Sequence, residues 1–258
     1  MTAPKIFTPE YYELMRENEA SAWWNAGMRD AALRLLSRVD LGPPGTMLDI
    51  GCGSGQSMHW FRDVWPGWRT IGLDVAGEGL VAAKALGERE VFMASALDLP
   101  LPDASVDAVI TLDVIQHLPL PGGDITALAE IARVVRPGGH VFIRTNAQAF
   151  PHTPDDYKYD FHKYRPAELR SKLADAGFDV VRLSRLNGLL GLAEIPRELR
   201  ARDEQGEGYH GILSDRPPPR DPIAGLKRSW LGLEGRAVAR GLRLPIGRTI
   251  VALCRRSS

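Results

Sequence analysis

Three glycines at alternate positions close an apolar run in Met47-Leu48-Asp49-Ile50-Gly51-Cys52-Gly53-Ser54-Gly55-Gln56, and the chain behind them reads as a helix. Glycine has no Cβ, so such a turn lets backbone lie close to a ligand and leaves helix-start N–H groups available to negative charge. These residue types point to a nucleotide-like cofactor. Asp49 could pair with an ammonium group, or could hold the glycine turn through a hydrogen bond. One helix later, Arg69-Thr70-Ile71-Gly72-Leu73-Asp74 forms a second apolar run that ends in an acid. Asp74 could accept the paired hydroxyls of a ribose, or could cap a helix that begins at Gly77.

The elements that must position these residues follow from pattern. Short apolar runs near 46–50, 69–74, 90–94, 106–112 and 139–145 alternate with amphipathic stretches, which predicts a parallel sheet. The runs are nearly continuous, as in strands covered by helices on both faces. Upstream, Thr8-Pro9-Glu10 predicts a helix through about Glu19. Leu33, Leu36 and Val39 place a second helix from Asn25 to Val39, stopped by Gly42-Pro43-Pro44-Gly45. Downstream, a helix near Pro166–Ala176 precedes a strand near Phe178–Leu186. Residues 187–244, with Pro217-Pro218-Pro219 and little period, read as an insertion between the last two strands, and Pro245–Leu253 reads as the closing strand. The expected layout is a helical cap over 1–44, a Rossmann-like core over 45–186, an insertion over 187–244 that serves as lid or dimer surface, and a final core strand over 245–258.

The pair LDIGCGSG and GLD resembles the class I S-adenosylmethionine-dependent methyltransferases, whose glycine loop is GxGxG, where nicotinamide dehydrogenases have GxGxxG. Three more segments carry the same resemblance. Ala94-Ser95-Ala96-Leu97-Asp98-Leu99-Pro100-Leu101-Pro102-Asp103 with Val106–Ile110 is similar to the adenine loop and fourth strand. Ala132–Gly139 is similar to the family's helix-to-strand turn, and Phe178-Asp179-Val180-Val181 to the start of its sixth strand. The resemblance spans roughly residues 45 to 185. It implies an α/β fold with a doubly wound, seven-stranded sheet, mostly parallel with an antiparallel last strand, plus N-terminal helices and a helical insertion.

It also implies roles. Asp49, Gly51, Cys52, Gly53 and Gly55 would hold the methionine part of S-adenosyl-L-methionine, and Asp74 its ribose. Val75 would face the adenine, with Ser95, Ala96 and Leu97 meeting its edge; Ser95 stands where the family usually has an acid. Asp113-Val114-Ile115-Gln116-His117-Leu118 resembles the family's segment after the fourth strand. His117 could take a proton from the acceptor, since histidine titrates near pH 6.5, or could simply wall the cofactor. Trp23-Trp24-Asn25-Ala26-Gly27-Met28-Arg29 resembles an N-terminal segment that closes over the cofactor, which adds Trp24 and Arg29 to the candidates. The stretch His152–Arg165 is rich in aromatic residues and histidine, so Tyr157 and His162 are candidates to orient a nucleophile. Asp113 and Asn146 faintly resemble a metal pair, but Thr145 occupies the place of a second acid, so no metal is expected.

Composition bounds the rest. With 258 residues, 44% hydrophobic and 25% charged, the chain has the make-up of a globular protein, and its formal net charge of zero gives no general attraction to nucleic acid or anionic membranes. Two cysteines, Cys52 and Cys254, make no disulfide framework. No leader or spanning segment is visible, so a cytoplasmic protein is expected. The expected reaction is in-line methyl transfer to a small-molecule metabolite, at oxygen, nitrogen or carbon, by an enzyme that could form a homodimer. Two alternatives remain: a protein that binds S-adenosylmethionine as scaffold or for a non-methylating reaction, and a nicotinamide-dependent oxidoreductase. Nucleic acid amine methylation would call for an acid or asparagine followed by two prolines after the fourth strand, where Asp113-Val114-Ile115 stands.

Overall fold

The computed structural model describes residues 23–148, 162–191 and 221–257. The helix expected through Glu19, the candidate Tyr157 and the Pro217-Pro218-Pro219 run lie outside the described residues. In chain order the main elements are α1 (Trp23–Leu36), β1 (Thr46–Ile50), α2 (Gln56–Val64), β2 (Arg69–Asp74), α3 (Gly77–Ala85), β3 (Val91–Met93), β4 (Val106–Leu112), a 3-10 turn (Ile115–His117), α4 (Gly123–Val134), β5 (Val135–Asn146), α5 (Pro166–Asp175), β6 (Phe178–Leu186), α6 (Ala224–Ala239) and β7 (Thr249–Arg256). Among the described residues no helix is long and apolar enough to cross a membrane.

The strands form one sheet in the order β3-β2-β1-β4-β5-β7-β6. Pairing is parallel from β3 through β5, and β7 runs antiparallel between β5 and β6. Strand order reverses at β1, with β2 on one side and β4 on the other, so the carboxyl ends of β1 and β4 border the crevice in which sheets of this kind receive ligands.

Side-chain alternation divides the apolar interior. Leu48, Ile50, Val109, Val141, Ile143, Ile250 and Ala252 belong to one core with Leu128 and Ile131 of α4 and Leu169 and Leu173 of α5. Met47, Ala108, Ile110, Phe142, Val251 and Leu253 belong to the other, with Met28, Ala31 and Leu35 of α1, Phe61 of α2 and Leu231 and Val238 of α6. Both faces are thus dry, which is why the strands read as unbroken apolar runs.

Some boundaries move. The fifth strand begins at Val135 rather than 139, because Val135 pairs with Val106 before a register shift carries the ladder to Ala108 and His140. The Arg136–Gly139 turn is therefore a bulge within the strand. The closing strand starts at Thr249 rather than Pro245. Within 187–244, α6 is built into the sheet face: its Leu231 and Val238 are fully buried, and it lies along α1. This part of the insertion is core helix, not a lid over the crevice.

Contact between α1 and α6 depends on small residues. A Cβ added at Gly235 would stand 2.8 and 2.9 Å from Cβ and Cα of Ala31, and one at Gly27 would meet Leu231 at 2.7 Å. Backbone cannot yield as a side-chain tip can. Gly235→Val is therefore expected to lower stability by about 1–3 kcal/mol, the usual cost of overpacking, as read from denaturant unfolding; an unchanged midpoint would mean that the helix pair is not close-packed.

Candidate functional site

The glycine loop is a chain of left-handed turns. Gly51, Gly53 and Gly55 have φ of +73°, +49° and +80°, a region that costs any residue with a Cβ. Space is also closed at Gly51, where an added Cβ would collide with Cγ2 of Val114. The N–H groups of Gly51 and Cys52 donate to the Leu73 carbonyl at 2.7 and 3.0 Å, which binds the loop to the end of β2. No side chain caps the start of α2, so its first-turn N–H groups, which have no intrahelical acceptor, point an anion-binding helix end at the crevice.

Two carboxylates fix this turn. Asp74 accepts the Gly53 N–H on one oxygen at 2.8 Å and the Ala76 N–H on the other at 2.9 Å. It therefore holds the loop and its own turn; α3 starts after Ala76 without a side-chain cap, so the capping role is not the one observed. Asp49 accepts a hydrogen bond from the Ser57 hydroxyl in the first turn of α2. Asp49 is thus tied to the helix that follows the glycine loop. Both acids are buried.

Cys52 contributes through backbone alone. Its side chain packs with Met58, Leu80, Ala83 and Val91, and burial pushes the thiol pKa up. A protonated thiol in that setting is packing, not a nucleophile.

The candidate adenine wall has an apolar platform and a tied-down loop. Val75 is 53% exposed beyond Asp74, where a large apolar side chain is free to meet a ring. The Ser95 hydroxyl accepts the Leu97 N–H at 3.1 Å, and the Ser95 carbonyl accepts the Asp98 N–H at 3.2 Å. Ser95 therefore serves largely to shape its own turn, while Ala96 is buried beneath it. From α4, Glu130 accepts the Leu99 N–H at 2.8 Å and Arg133 donates to the carbonyls of Leu99 and Leu101 at 2.9 and 2.7 Å. The Arg133 guanidinium hydrogen-bonded to Glu130 holds that carboxyl down at about 2. Sequence reading misses this anchor, although its signal, an acid and an arginine three apart on one helix, is visible.

Beyond β4 the structure adds a residue that sequence reading passes over. Arg144, near the end of β5, donates from Nε and Nη2 to one Asp113 oxygen at 2.9 and 2.5 Å, and the Trp24 ring lies 5.0 Å over its guanidinium. Asp113 itself sits at φ +60° and donates its N–H to the Arg144 carbonyl at 2.8 Å. Its carboxylate is thus matched to a cation. Among the described residues no cluster could hold a metal ion. The Trp24 indole N–H is buried and without an acceptor among the described residues. An arginine at the end of an otherwise apolar strand is the available clue.

Arg29 and His162 go elsewhere. The Arg29 guanidinium lies 5.5 Å over the Trp60 ring and 3.5 Å from Asp30, so it packs α1 onto α2. His162 stands 2.8 Å from Glu168 and edge-on to Tyr164, with ring centroids 4.4 Å apart. Glu168 also pairs with Lys172, which pairs with the buried Asp124, and Tyr164 donates to Asp124 at 2.9 Å. His162 is a member of that polar network, which ties α5 to α4. Gln116 joins it to the crevice: its side-chain carbonyl oxygen accepts Thr145 and Asn146 at 3.0 and 2.8 Å, and its backbone accepts the His162 N–H.

Reversal of strand order at a GxGxG loop, with an acid closing β2, defines the Rossmann-like architecture of methyltransferases. Residues 48–143 match the family described as "Methyltransferase domain". The chain is similar to trans-aconitate 2-methyltransferase of Azoarcus sp. (strain BH72), 32% identical over 57% of this chain and 54% of that protein. It is also similar to "Probable tRNA methyltransferase 9B" of Mus musculus, 32% identical over 52% of this chain and 31% of that protein. The chain thus spans about half, or less, of the length of these relatives. A solved complex of the Haloferax volcanii Trm112 methyltransferase activator with a methyltransferase shares the fold, with a TM-score of 0.64, 20% identity and full coverage of both chains. Residues 48–143 thus match a methyltransferase domain, and the chain is similar to methyltransferases of the class I, S-adenosylmethionine-dependent type, whose cofactor is S-adenosylmethionine.

His117 lies partly buried behind Asp113, and burial pulls its pKa down to about 4 against the opposing pull of the Asp113 charge. An imidazole so placed is neutral at pH 7 but a weak base. The linked stability is fully present above the unfolded pKa near 6.5 and is lost as pH falls through the folded value near 4, because the unfolded chain takes the proton first. Histidine signals followed by NMR should show His117 titrating close to 4; a midpoint above 6 would restore it as an ordinary base.

Proposed function

We propose that the protein transfers a methyl group from S-adenosylmethionine to a small-molecule metabolite. The observation that carries the donor half is the Gly53 N–H bonded to Asp74, which locks a backbone cradle and a ribose acceptor into one unit at the switch point. The cofactor supplies an electrophilic methyl on a sulfonium whose positive charge disappears as transfer proceeds. Asp74 would hold the ribose hydroxyls, Val75 and the Ser95–Leu97 turn the adenine, and the first-turn N–H groups of α2 the amino acid carboxylate. Asp49, behind Ser57, would set a negative potential near the ammonium.

For the acceptor, the chain's task is alignment and exclusion of water. Trp24, Arg144 and Asp113 meet at the carboxyl ends of β4 and β5, a small enclosed polar group that suits an oxygen-bearing metabolite. Trp24 can donate its indole N–H to such a group, and His117 walls the crevice rather than moving the proton. The acceptor's nucleophile would then arrive deprotonated or lose its proton to solvent. The trans-aconitate methyltransferase relative supports a small acceptor.

Transfer to RNA is a second reading, favoured by the tRNA methyltransferase relative. Labelled methyl donor offered with a panel of carboxylate and hydroxyl metabolites, and separately with total tRNA, divides the two: label in a metabolite supports the first reading, and label confined to RNA overturns it. Asp74→Ala should weaken S-adenosylhomocysteine binding by at least about tenfold in calorimetry, the scale of one lost charge-assisted bond pair. Unchanged affinity would remove Asp74 from the site.

A further inference from the structure

At the far end of α1 from the crevice, two helices bring four arginines together. The helices run parallel, since Gly27 meets Leu231 and Ala31 meets Gly235, while Trp23 meets Lys227. Their last turns therefore end side by side. Arg34 and Arg38 from α1 and the turn after it, and Arg236 and Arg240 from the end of α6, line a cleft of about 260 Å³ with Ser37 and Ala239. Trp24, in the first turn of α1, touches Arg144 near the carboxyl end of β5. The 14 residues of α1, at about 1.5 Å each, set the cleft roughly 20 Å away at the opposite edge of the sheet.

The charge in this cleft is not accounted for by the fold. Elsewhere Arg62, Arg69, Arg133, Arg136, Arg144 and Arg228 are each matched to a carboxylate. Among the described residues Arg34, Arg38, Arg236 and Arg240 have no ion-pair partner. At each helix end the two stand four residues apart, about one turn, where like charges repel. The carbonyl ends of the helices attract cations, but each amounts to roughly half a negative charge. Two such ends offset about one of the four charges, which leaves a surplus of about three.

We propose that this cleft is a binding site for a compact small molecule that carries a phosphate or diphosphate group with two or more negative charges. Guanidinium forks match phosphate oxygens in pairs, and forks arriving from two helices can grip a multiply charged group from two sides. The Ser37 hydroxyl, bonded to the Arg34 carbonyl at 3.0 Å, closes the lip of the cleft. A small ligand fits better than a nucleic acid chain, because the protein's formal net charge is zero and the surplus is confined to one concavity, without the broad positive field that draws polyanions.

Calorimetric titration of the full chain with inorganic pyrophosphate at physiological salt tests the site. Wild-type protein should bind it saturably at one site. Arg34→Gln/Arg236→Gln should bind at least about tenfold more weakly, as should the independent pair Arg38→Gln/Arg240→Gln, while Arg89→Gln, an exposed arginine outside the cleft, should bind as wild type. Affinity for S-adenosylhomocysteine should be the same in all four proteins, which separates this site from the crevice and confirms that the variants fold. Absence of saturable binding to the wild type, or wild-type affinity in both double variants, would overturn the proposal. So would a single-stranded RNA oligonucleotide that binds where pyrophosphate does not and is lost in the same variants.

Discussion

One carboxylate couples the two halves of the crevice. Asp74 ends β2, yet its oxygens accept N–H groups from the glycine loop after β1 and from the turn before α3. Both are charge-assisted bonds in a buried setting, where an unmatched donor or acid would be costly. The loop's three left-handed glycines persist only because something holds them, and Asp74 with Leu73 does so. The acid expected to hold the cofactor is thus also what shapes the cradle beneath it. Loss of this residue would act on ligand and loop together.

A second polar layer sits behind the first. Gln116, in the 3-10 turn after β4, accepts from Thr145 and Asn146 at the end of β5 and takes the His162 N–H on its backbone carbonyl. From His162 the chain of contacts continues through Glu168 and Lys172 to Asp124 and Tyr164. Lys172 and Tyr164 lower the Asp124 carboxyl against the upward pull of burial. A satisfied network of this kind fixes the orientation of the α4–α5 face that borders the crevice. Arg144 with Asp113 and Trp24 does the same on the α1 side.

Much of this architecture is legible in the amino-acid sequence. The sheet is legible because both faces are covered, so each strand has to be apolar throughout, and the loop is legible because glycine takes φ of +49° to +80° without the steric cost that a Cβ brings. What escapes is long-range pairing. Nothing in the local pattern says that Arg144 will reach Asp113, 31 positions away, or that Arg133 will clasp the Leu99–Leu101 loop. Cys52 and Arg29 are drawn to the ligand by their neighbours in sequence, whereas their side chains serve packing. The 224–239 helix hides because its buried stripe is sparse: Leu231 and Val238 are enclosed, while Leu226, Trp230 and Leu233 remain exposed. Such a helix has little amphipathic signal until α1 is laid against it.

The crevice over β1 and β2 is expected to grip an adenosyl sulfonium, and a crystal structure of the protein with S-adenosylhomocysteine would show it. Ribose hydroxyls should lie against the Asp74 carboxylate, adenine on Val75, and the amino acid end over Gly51–Gly55. Density for the compound anywhere else, or none in that crevice at saturating concentration, would contradict it.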